Sequence, residues 1–454
     1  MKSINYKTVL FFTVCIIASS CAKFLDKKPN QQLTTPSTLD DLAQLLNDYD
    51  RMNAYYPSSG EISADNYYLL DEGWAAIGLE LQQNLYLWQK YDDVGSDWTS
   101  PYRDIETANV ILDNVEKVPL KTNIEQQKAT QLKAMALFIR AYYHYALSQL
   151  YMPVYNKATA NTDLGIPLKL SSDVNEKMTR ASAQETYDYI IADIKAALPQ
   201  LPLKPDMKYL PSLPAAFGLL SRIYLSMQDY KDAGIYADSC LQGYSTLIDY
   251  NTVDTTSDAP FGQFNAEDIY DTQAAYPSGL DHSIAKVDSV LYKSYAENDV
   301  RKHAFFSSNG DGTYYFKGNY TGKPNDPTMF TGIATDEMFL TRAECFARQG
   351  DSLNALKDLN LLLSDRIKEG KFIPYSLPVE GGLLKLILNE RRKELPFREL
   401  RWTDLRRLNK EPEFKDTLYR YINGKQYILL PGSDRYTLQI DKRSIQISGI
   451  EQNP

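Results

Sequence analysis

Three histidines (His144, His282, His303) and four cysteines are the whole supply of nitrogen and sulfur ligands in 454 residues. No HExxH, paired CxxC, GxxxxGK[ST] or GxSxG pattern surrounds them. A zinc site needs three or four such ligands to converge, so no metal centre and no cofactor are expected. Asn309-Gly310-Asp311-Gly312 offers oxygens of the kind calcium takes, but it lacks the further spaced carboxylates of a calcium loop and reads as a turn. A glycosidase needs two carboxylates flanking one bond. Asp65, Asp71 and Asp92 are formal candidates, and nothing in their spacing marks one as acid and one as base, so the chain is read as a non-enzyme.

What the chain has in excess is aromatic surface, with 34 tyrosines. A tyrosine offers a flat apolar face and a polar tip. That suits the C–H side of a pyranose ring as well as it suits a helix–helix contact, so periodicity must separate the two uses. Trp98 and Tyr102 keep helical spacing with Ile105 and are assigned to the scaffold, as are Trp402 and His144. Trp74, Trp88, Tyr67, Tyr68, Tyr314 and Tyr315 escape that spacing. They are the candidate ligand-binding rings, with Asp65, Asn66 and Gln89 as partners for sugar hydroxyls.

The elements that must position these rings are mainly α-helical. Thr35 and Pro36 read as the start of a helix reaching about Arg51, with Leu39, Leu42 and Leu46 on its buried stripe. Ala129, Leu132, Ala136, Ile139, Tyr143, Ala146 and Leu150 recur at spacings of three and four, which predicts a long helix from about Glu125 to Tyr151. Another is expected from about Ser182 to Leu198. Phe217, Leu220, Ser221, Tyr224, Ala233, Ala237 and Cys240 follow a tetratricopeptide-like pattern. Phe339, Ala343, Phe346, Ala355, Leu359 and Leu362 echo its offsets. Small residues recur there because paired helices approach closely only where side chains are short. The expected fold is a tetratricopeptide-like helical repeat scaffold with long, loop-rich aromatic excursions. Its repeat units span about 125–243 and 335–367, and its ligand-side loops about 52–102 and 244–332. Asn309-Gly310 and Asp311-Gly312 are hairpin signals, and Thr313 to Phe316 reads as a short strand. The stretch from Gln426 to Pro454 reads as an irregular tail.

The N-terminus reads as an address. Lys2 and Lys7 precede an apolar run from Val9 to Ala18, and Ser19-Ser20 lead into Cys21. The run is half of the ~20 residues a spanning helix needs. With a thiol directly after small residues, residues 1–20 are read as a lipoprotein signal, cleaved before Cys21, which is then acylated. The protein is expected outside the cytosol, tethered to a membrane. The whole chain carries a net charge of −9, with 49 basic and 58 acidic residues; removal of Lys2 and Lys7 leaves 47 against 58, or −11. No basic stripe exists to neutralise phosphates, which excludes nucleic acid as a partner. Cys240 and Cys345 fall at apolar helix positions and read as two separate buried thiols.

Three stretches carry a family likeness. Cys21-Ala22-Lys23-Phe24-Leu25-Asp26-Lys27-Lys28-Pro29 resembles the mature start of SusD/RagB-like outer-membrane lipoproteins. Arg140-Ala141-Tyr142-Tyr143-His144-Tyr145, on to Leu150-Tyr151-Met152-Pro153-Val154, resembles their long first repeat helix. Glu390-Arg391-Arg392-Lys393-Glu394-Leu395, with Phe397, Arg401-Trp402 and Asp404-Leu405-Arg406, is similar to their C-terminal signature, placed here in a region of about 333–454. The ending Gln452-Asn453-Pro454 also fits. Met152, Pro396 and Arg398-Glu399-Leu400 depart from the usual residues at scaffold positions. The resemblance implies one SusD-like domain over residues 21–454 on the outer face of the outer membrane. It implies a protein that captures oligosaccharide, or peptide in the RagB branch, and delivers it to a SusC-like TonB-dependent transporter without breaking a bond. A lipid-anchored glycosidase and a purely protein-binding repeat scaffold are the competing readings. Opposite charges within one turn at Arg391 and Glu394, and at Asp404 with Arg401 and Arg407, predict ion pairs locking two C-terminal helices.

Overall fold

In the computed structural model, which describes residues 36–454, helices dominate and short two-stranded antiparallel sheets sit between them. Cys21 and its signal lie outside the described residues. Helix α1 (Leu39–Leu46) starts later than the Thr35-Pro36 signal predicts. Thr38 is its cap. The Thr38 hydroxyl accepts the Asp41 N–H at 3.1 Å, and the Asp41 carboxylate accepts the Thr38 N–H at 3.0 Å. This reciprocal box satisfies two groups that a proline at the first position leaves alone. The chain breaks at Asn47 and restarts as α2 (Tyr49–Met52), so one expected helix is two.

The stretch read as loops folds into α3 (Ser59–Ser63), strand β1 (Tyr67–Tyr68), α4 (Asp71–Ala75) and α5 (Glu80–Tyr86). The long helices α6 (Ser96–Val115) and α7 (Asn123–Tyr151) then pack side by side. After the β2 (Leu164–Pro167) and β3 (Arg180–Ser182) ladder comes α8 (Ala183–Ala197), which packs on α7. Arg140 ties the three helices together: it donates to both Asp193 oxygens of α8, at 2.7 and 2.8 Å, and to Asn109 of α6 at 3.0 Å. Helices α9 (Leu213–Ser226) and α10 (Tyr230–Gly243) form the next hairpin. Ser221 and Ala233 meet there, with the serine hydroxyl donating to the Ala233 carbonyl at 2.9 Å, the close approach that small residues permit.

A long excursion follows, through β4 (Asp268–Tyr270), β5 (Lys286–Val287), α11 (Ser289–Lys293), α12 (Arg301–Phe305), β6 (Phe306–Ser308), β7 (Tyr314–Phe316) and β8 (Ile333–Ala334). Strand β8 returns to β4 and closes the excursion at its base. The second repeat-like hairpin is α13 (Thr335–Arg348) with α14 (Ser352–Ser364), and α13 also packs against α10. Gly234 of α10 makes that approach possible, because a Cβ there would sit 2.9 Å from Cys345 Cβ. Cys240 and Cys345 are both free and buried, and burial pushes both thiols up. The C-terminal part holds α15 (Leu383–Glu394), α16 (Arg401–Leu408), strands β9 (Leu418–Ile422) and β10 (Lys425–Leu429), and α17 (Lys442–Ser448). The tail read as irregular from Gln426 therefore begins with a strand.

The C-terminal charges do lock elements together; one expected pair forms, Asp404 with Arg407 at 2.8 Å, and the other two are replaced. Arg391 donates to Asp404 at 2.8 Å, not to Glu394, and Asp404 also receives Arg407. Arg401 leaves Asp404 and forks onto Asp65 at 2.6 and 2.8 Å. Glu394 is claimed by Arg301 and Arg366. Within-helix pairing suits an exposed face. These side chains are buried, and a buried charge is drawn to whichever element supplies full compensation.

Candidate functional site

The two loop regions expected to carry ligand meet edge to edge. Strand β1 pairs antiparallel with β5, setting Tyr67 opposite Val287 and Tyr68 opposite Lys286. Strand β5 packs in turn against β7 of the β6–β7 hairpin. The Asn309–Gly312 turn closes that hairpin: Asn309 N–H donates to the Thr313 carbonyl at 3.0 Å, and Asp311 accepts the Thr313 N–H at 2.9 Å. Gly310 and Gly312 take φ of 82° and 86°, which glycine adopts freely. Asp311 then lies 3.8 Å from Lys286 Nζ. Tyr68, Tyr314 and Tyr315 are thus half-buried rings on this three-strand patch, with Tyr314 and Tyr315 on opposite faces of β7. Burial and the charges of Asp311 and Asp288 raise the Tyr68 phenol.

Each ring in the patch is held differently. Tyr314 stacks face to face on Tyr292, with centroids 3.6 Å apart, so one of its faces is taken. Tyr315 tilts against His282 at 5.6 Å. Beside them runs a narrow cleft lined by Tyr67, His282, Phe316, Asn319, Lys323 and Phe397. Phe316 stacks on Phe397 at 4.5 Å, and Phe397 has φ of 57°. A left-handed phenylalanine costs ~1–3 kcal/mol, which the packing of its ring offsets. The free space of this cleft is about 20 Å³, room for a water and not for a sugar ring, so its imidazole, amide and ammonium can meet only a hydroxyl reaching in from beside it. Sequence reasoning missed Lys286, Tyr292, Phe316 and Phe397, because no local spacing links residue 397 to residue 316.

Several candidates sit elsewhere. Trp88 is core: its indole N–H donates to the Ser63 carbonyl at 2.9 Å, and the Arg420 guanidinium lies 4.6 Å over its ring. Tyr67 is buried, its hydroxyl donating to the Ile62 carbonyl at 2.9 Å, so only its flank reaches the cleft. Asn66 is fully buried and donates to Glu61 at 2.6 Å. Burial alone would raise the Asp65 carboxyl, but Arg401 and Arg392 outweigh that and hold it well below the usual range. Its oxygens are spent on them, not on hydroxyls. Lack of helical periodicity did not mean exposure here, because irregular backbone can be packed as tightly as a helix. Trp74 is half-buried on α4, its N–H donating to the Gln83 carbonyl at 3.2 Å. Gln89 is exposed but lines a separate groove beside Arg435 and Pro454. Trp98 and Trp402 are buried scaffold. His144 is also core, with its Nε2 accepting the Lys169 N–H at 3.3 Å, and burial lowers its pKa to about 3.

In the core, Glu61 and Glu399 exchange bonds: the Glu61 N–H donates to Glu399 at 3.0 Å and the Glu399 N–H donates to Glu61 at 3.1 Å. Gly60 leaves the space that the Glu399 carboxylate fills. Burial raises Glu61 to about 7, and burial together with the Glu61 charge raises Glu399 well above a usual carboxyl. Asp65, Arg401 and Asp97 are the other charges that face the pair. The folded state therefore holds more protons than the unfolded chain above pH ~4.5, so the pair's contribution falls as pH rises through 7. Glu399→Gln keeps an acceptor for the Glu61 N–H and cannot ionise. Its urea midpoint should match the wild type at pH 5 and exceed it at pH 8. A difference that stays constant with pH would remove the pair from this role.

Among the described residues no group of three or more His, Cys, Asp or Glu is placed to hold a metal ion, and no helix is long and apolar enough to cross a membrane. Two family models match the chain. One, described as starch-binding and associating with the outer membrane, covers residues 23–225; the other, the SusD family, covers residues 335–435. The SusD-like protein P2 of Formosa agariphila is 23% identical over 374 residues, 69% of this chain and 72% of that protein. A SusD superfamily protein from Bacteroides thetaiotaomicron superposes with a TM-score of 0.74 at 22% identity, covering 92% of this chain and 100% of the other. A laminarin binding SusD-like protein gives 0.66 at 18%, covering 92% and 100%. The superpositions, each covering 92% of this chain, show the same fold. The two family matches, over residues 23–225 and 335–435, place the chain in the SusD/RagB-like family.

Proposed function

We propose that this protein captures oligosaccharide at the cell surface and passes it to a SusC-like TonB-dependent transporter, without cleaving it. The observation that carries the reading is the meeting of two distant loop regions, in which β1 with Tyr68 pairs with β5 and β5 packs against β7 with Tyr314 and Tyr315. Cys21 is the proposed lipid anchor to the outer membrane. The helical repeats would face the transporter, and the loops at about 52–102 and 244–332 would face the ligand. Family membership supports carbohydrate as the ligand class, since one matching family is described as starch-binding.

Calorimetry with a panel of neutral oligosaccharides tests this, starting with laminarin fragments because a structural neighbour is named for that glycan. Removing one stacking ring should cost ~0.5–1.5 kcal/mol. Tyr68→Ala and Tyr315→Ala should then each weaken binding by roughly threefold to tenfold, with unchanged urea midpoints. Products are analysed on the same samples. Release of shorter sugars would overturn the non-catalytic reading, and binding of peptides alone would overturn the ligand class.

A further inference from the structure

Helix α17 has seven residues and fully buries none of them. A helix that short does not stand alone in water, so it depends on what it packs against. Its start is secured: the Lys442 N–H donates to the Asp92 carbonyl, and Lys442 Nζ meets Asp93 at 2.8 Å. Ile445 and Ile450 rest against the main core, whereas Ile447 is 79% exposed. Between α17 and the start of α6 lies a groove with about 430 Å³ of free space. Trp98 and Tyr102 of α6, Pro167 of β2, Met178, Ile447 and Ile450 line it. Unlike the cleft near Tyr315, it has room for several apolar side chains.

The chain itself supplies an occupant. Residues 22–35 lie between Cys21 and the first described residue, and they open with Phe24-Leu25-Asp26, two large apolar side chains followed by a carboxylate. The groove carries a matching cation. Arg103 lines it with a side chain 41% exposed, and its neighbour Asp104 accepts it only at 3.4 Å, long for a charged pair. The reach is sufficient. Helices α1 and α2 run along α6 and α7: Asp40 meets Lys128 of α7, and the Arg51 carbonyl accepts Arg103 at 3.3 Å. From Asp40 to Arg51 the helical path is ~17 Å, while the stretch from Leu25 to residue 36 extends up to ~36 Å. One family match begins at residue 23, so the segment falls within the matched domain.

We propose that residues 22–35 dock across this groove, with Phe24 and Leu25 in the apolar seat between α6 and α17 and Asp26 on Arg103. The consequence is a short, stiff anchor in place of a free tether. Cys21 lies three residues before Phe24, so a lipid on it sits within ~10 Å of the groove. The flank formed by α6 and α17 then becomes the side of the protein held at the membrane, and the pivot about which it turns is fixed. That consequence rests on the reading of Cys21 as the lipid anchor; the docking does not.

The test digests the mature full-length chain in detergent with trypsin and follows cleavage after Lys23 and Lys27 by mass spectrometry. It compares wild type, Phe24→Ala/Leu25→Ala, Ile447→Asp/Ile450→Asp and the combination of all four, with urea midpoints confirming that each is folded. A synthetic peptide of residues 22–35 gives the unprotected rate. Each double variant should be cut roughly tenfold faster than wild type or more, and the combination no faster than either, because both break one contact. Hydrogen exchange over 96–103 and 442–450 should rise in the Phe24/Leu25 variant. Wild type cut at the peptide's rate would overturn the docking. Protection that grows with protein concentration would assign the groove to a second copy and also overturn it, as would protection seen only when a barrel partner co-purifies. A mature chain whose Cys21 carries no acyl group, with protection intact, would remove the anchor and leave the docking standing.

Discussion

Arg420→Met should destabilise the protein by several kcal/mol and weaken ligand capture as well. The guanidinium satisfies three buried carbonyls, those of Ile62, Ala64 and Tyr86. A methionine fills similar volume but donates nothing, and each buried group left unpaired costs ~1–3 kcal/mol. Loss of the cation over Tyr86, Trp88 and Tyr67 adds ~0.5–2 kcal/mol. The expected total is about 4 kcal/mol or more, read by urea unfolding. Because Arg420 joins the hairpin to the segment behind β1, hydrogen exchange should rise first in residues 59–88 and 418–429, while α6 to α8 stay protected. A variant within ~0.5 kcal/mol of wild type would mean that water or rearranged backbone replaces the guanidinium.

Arg366→Met should cost as much by a different route. Arg366 is fully buried and donates to Glu394 at 2.6 Å, Glu267 at 2.6 Å and the Ile248 carbonyl at 2.7 Å. Glu394 also binds Arg301, which holds Asp299 and Glu390. Removing one member strands buried charge, and breaking such pairs typically costs ~3–5 kcal/mol. Glu394 also meets Arg301, but among the described residues Glu267 keeps no other guanidinium at bonding distance, only the Tyr320 hydroxyl and the Ile248 N–H at 2.9 Å. The double variant Arg366→Met/Glu267→Gln should therefore recover part of the loss. If the double variant is as unstable as the sum of the two single ones, the two side chains are not coupled. The network joins the excursion to α15, so its failure should loosen the base on which the candidate site stands.

The long helices were legible because periodicity is a local property. The stripe from Ala129 to Leu150 lies on one face at three- and four-residue spacing, and α7 forms there. The two repeat-like hairpins were legible for the same reason, through small residues at the crossings. The Asn423-Gly424 turn was equally local and was the available signal for the β9–β10 hairpin, yet a run of mixed residues after it read as an irregular tail. Short capped helices such as α3 to α5 left too little pattern to separate from loops.

The site divides along the same line. Composition and spacing determined that the chain is a helical scaffold rich in loop-borne tyrosine, with no ligand set for a His/Cys metal. They also marked two regions for aromatic function. Only the tertiary structure decided which rings are available. The strands of Tyr68 and Tyr315 both flank β5, because β1 pairs with β5, more than two hundred residues away in the chain, and β5 packs against β7; Trp88 is lost to the core because Arg420 covers it. The ion pairs show the same rule. Arg391 and Glu394 sit one turn apart, yet each bonds a different distant element. A charge or a ring in water is indifferent to its neighbours within a kcal/mol or so. Once buried, its partner is set by whichever group the fold brings within bonding distance, and that is a property of the packed chain, not of any window of its sequence.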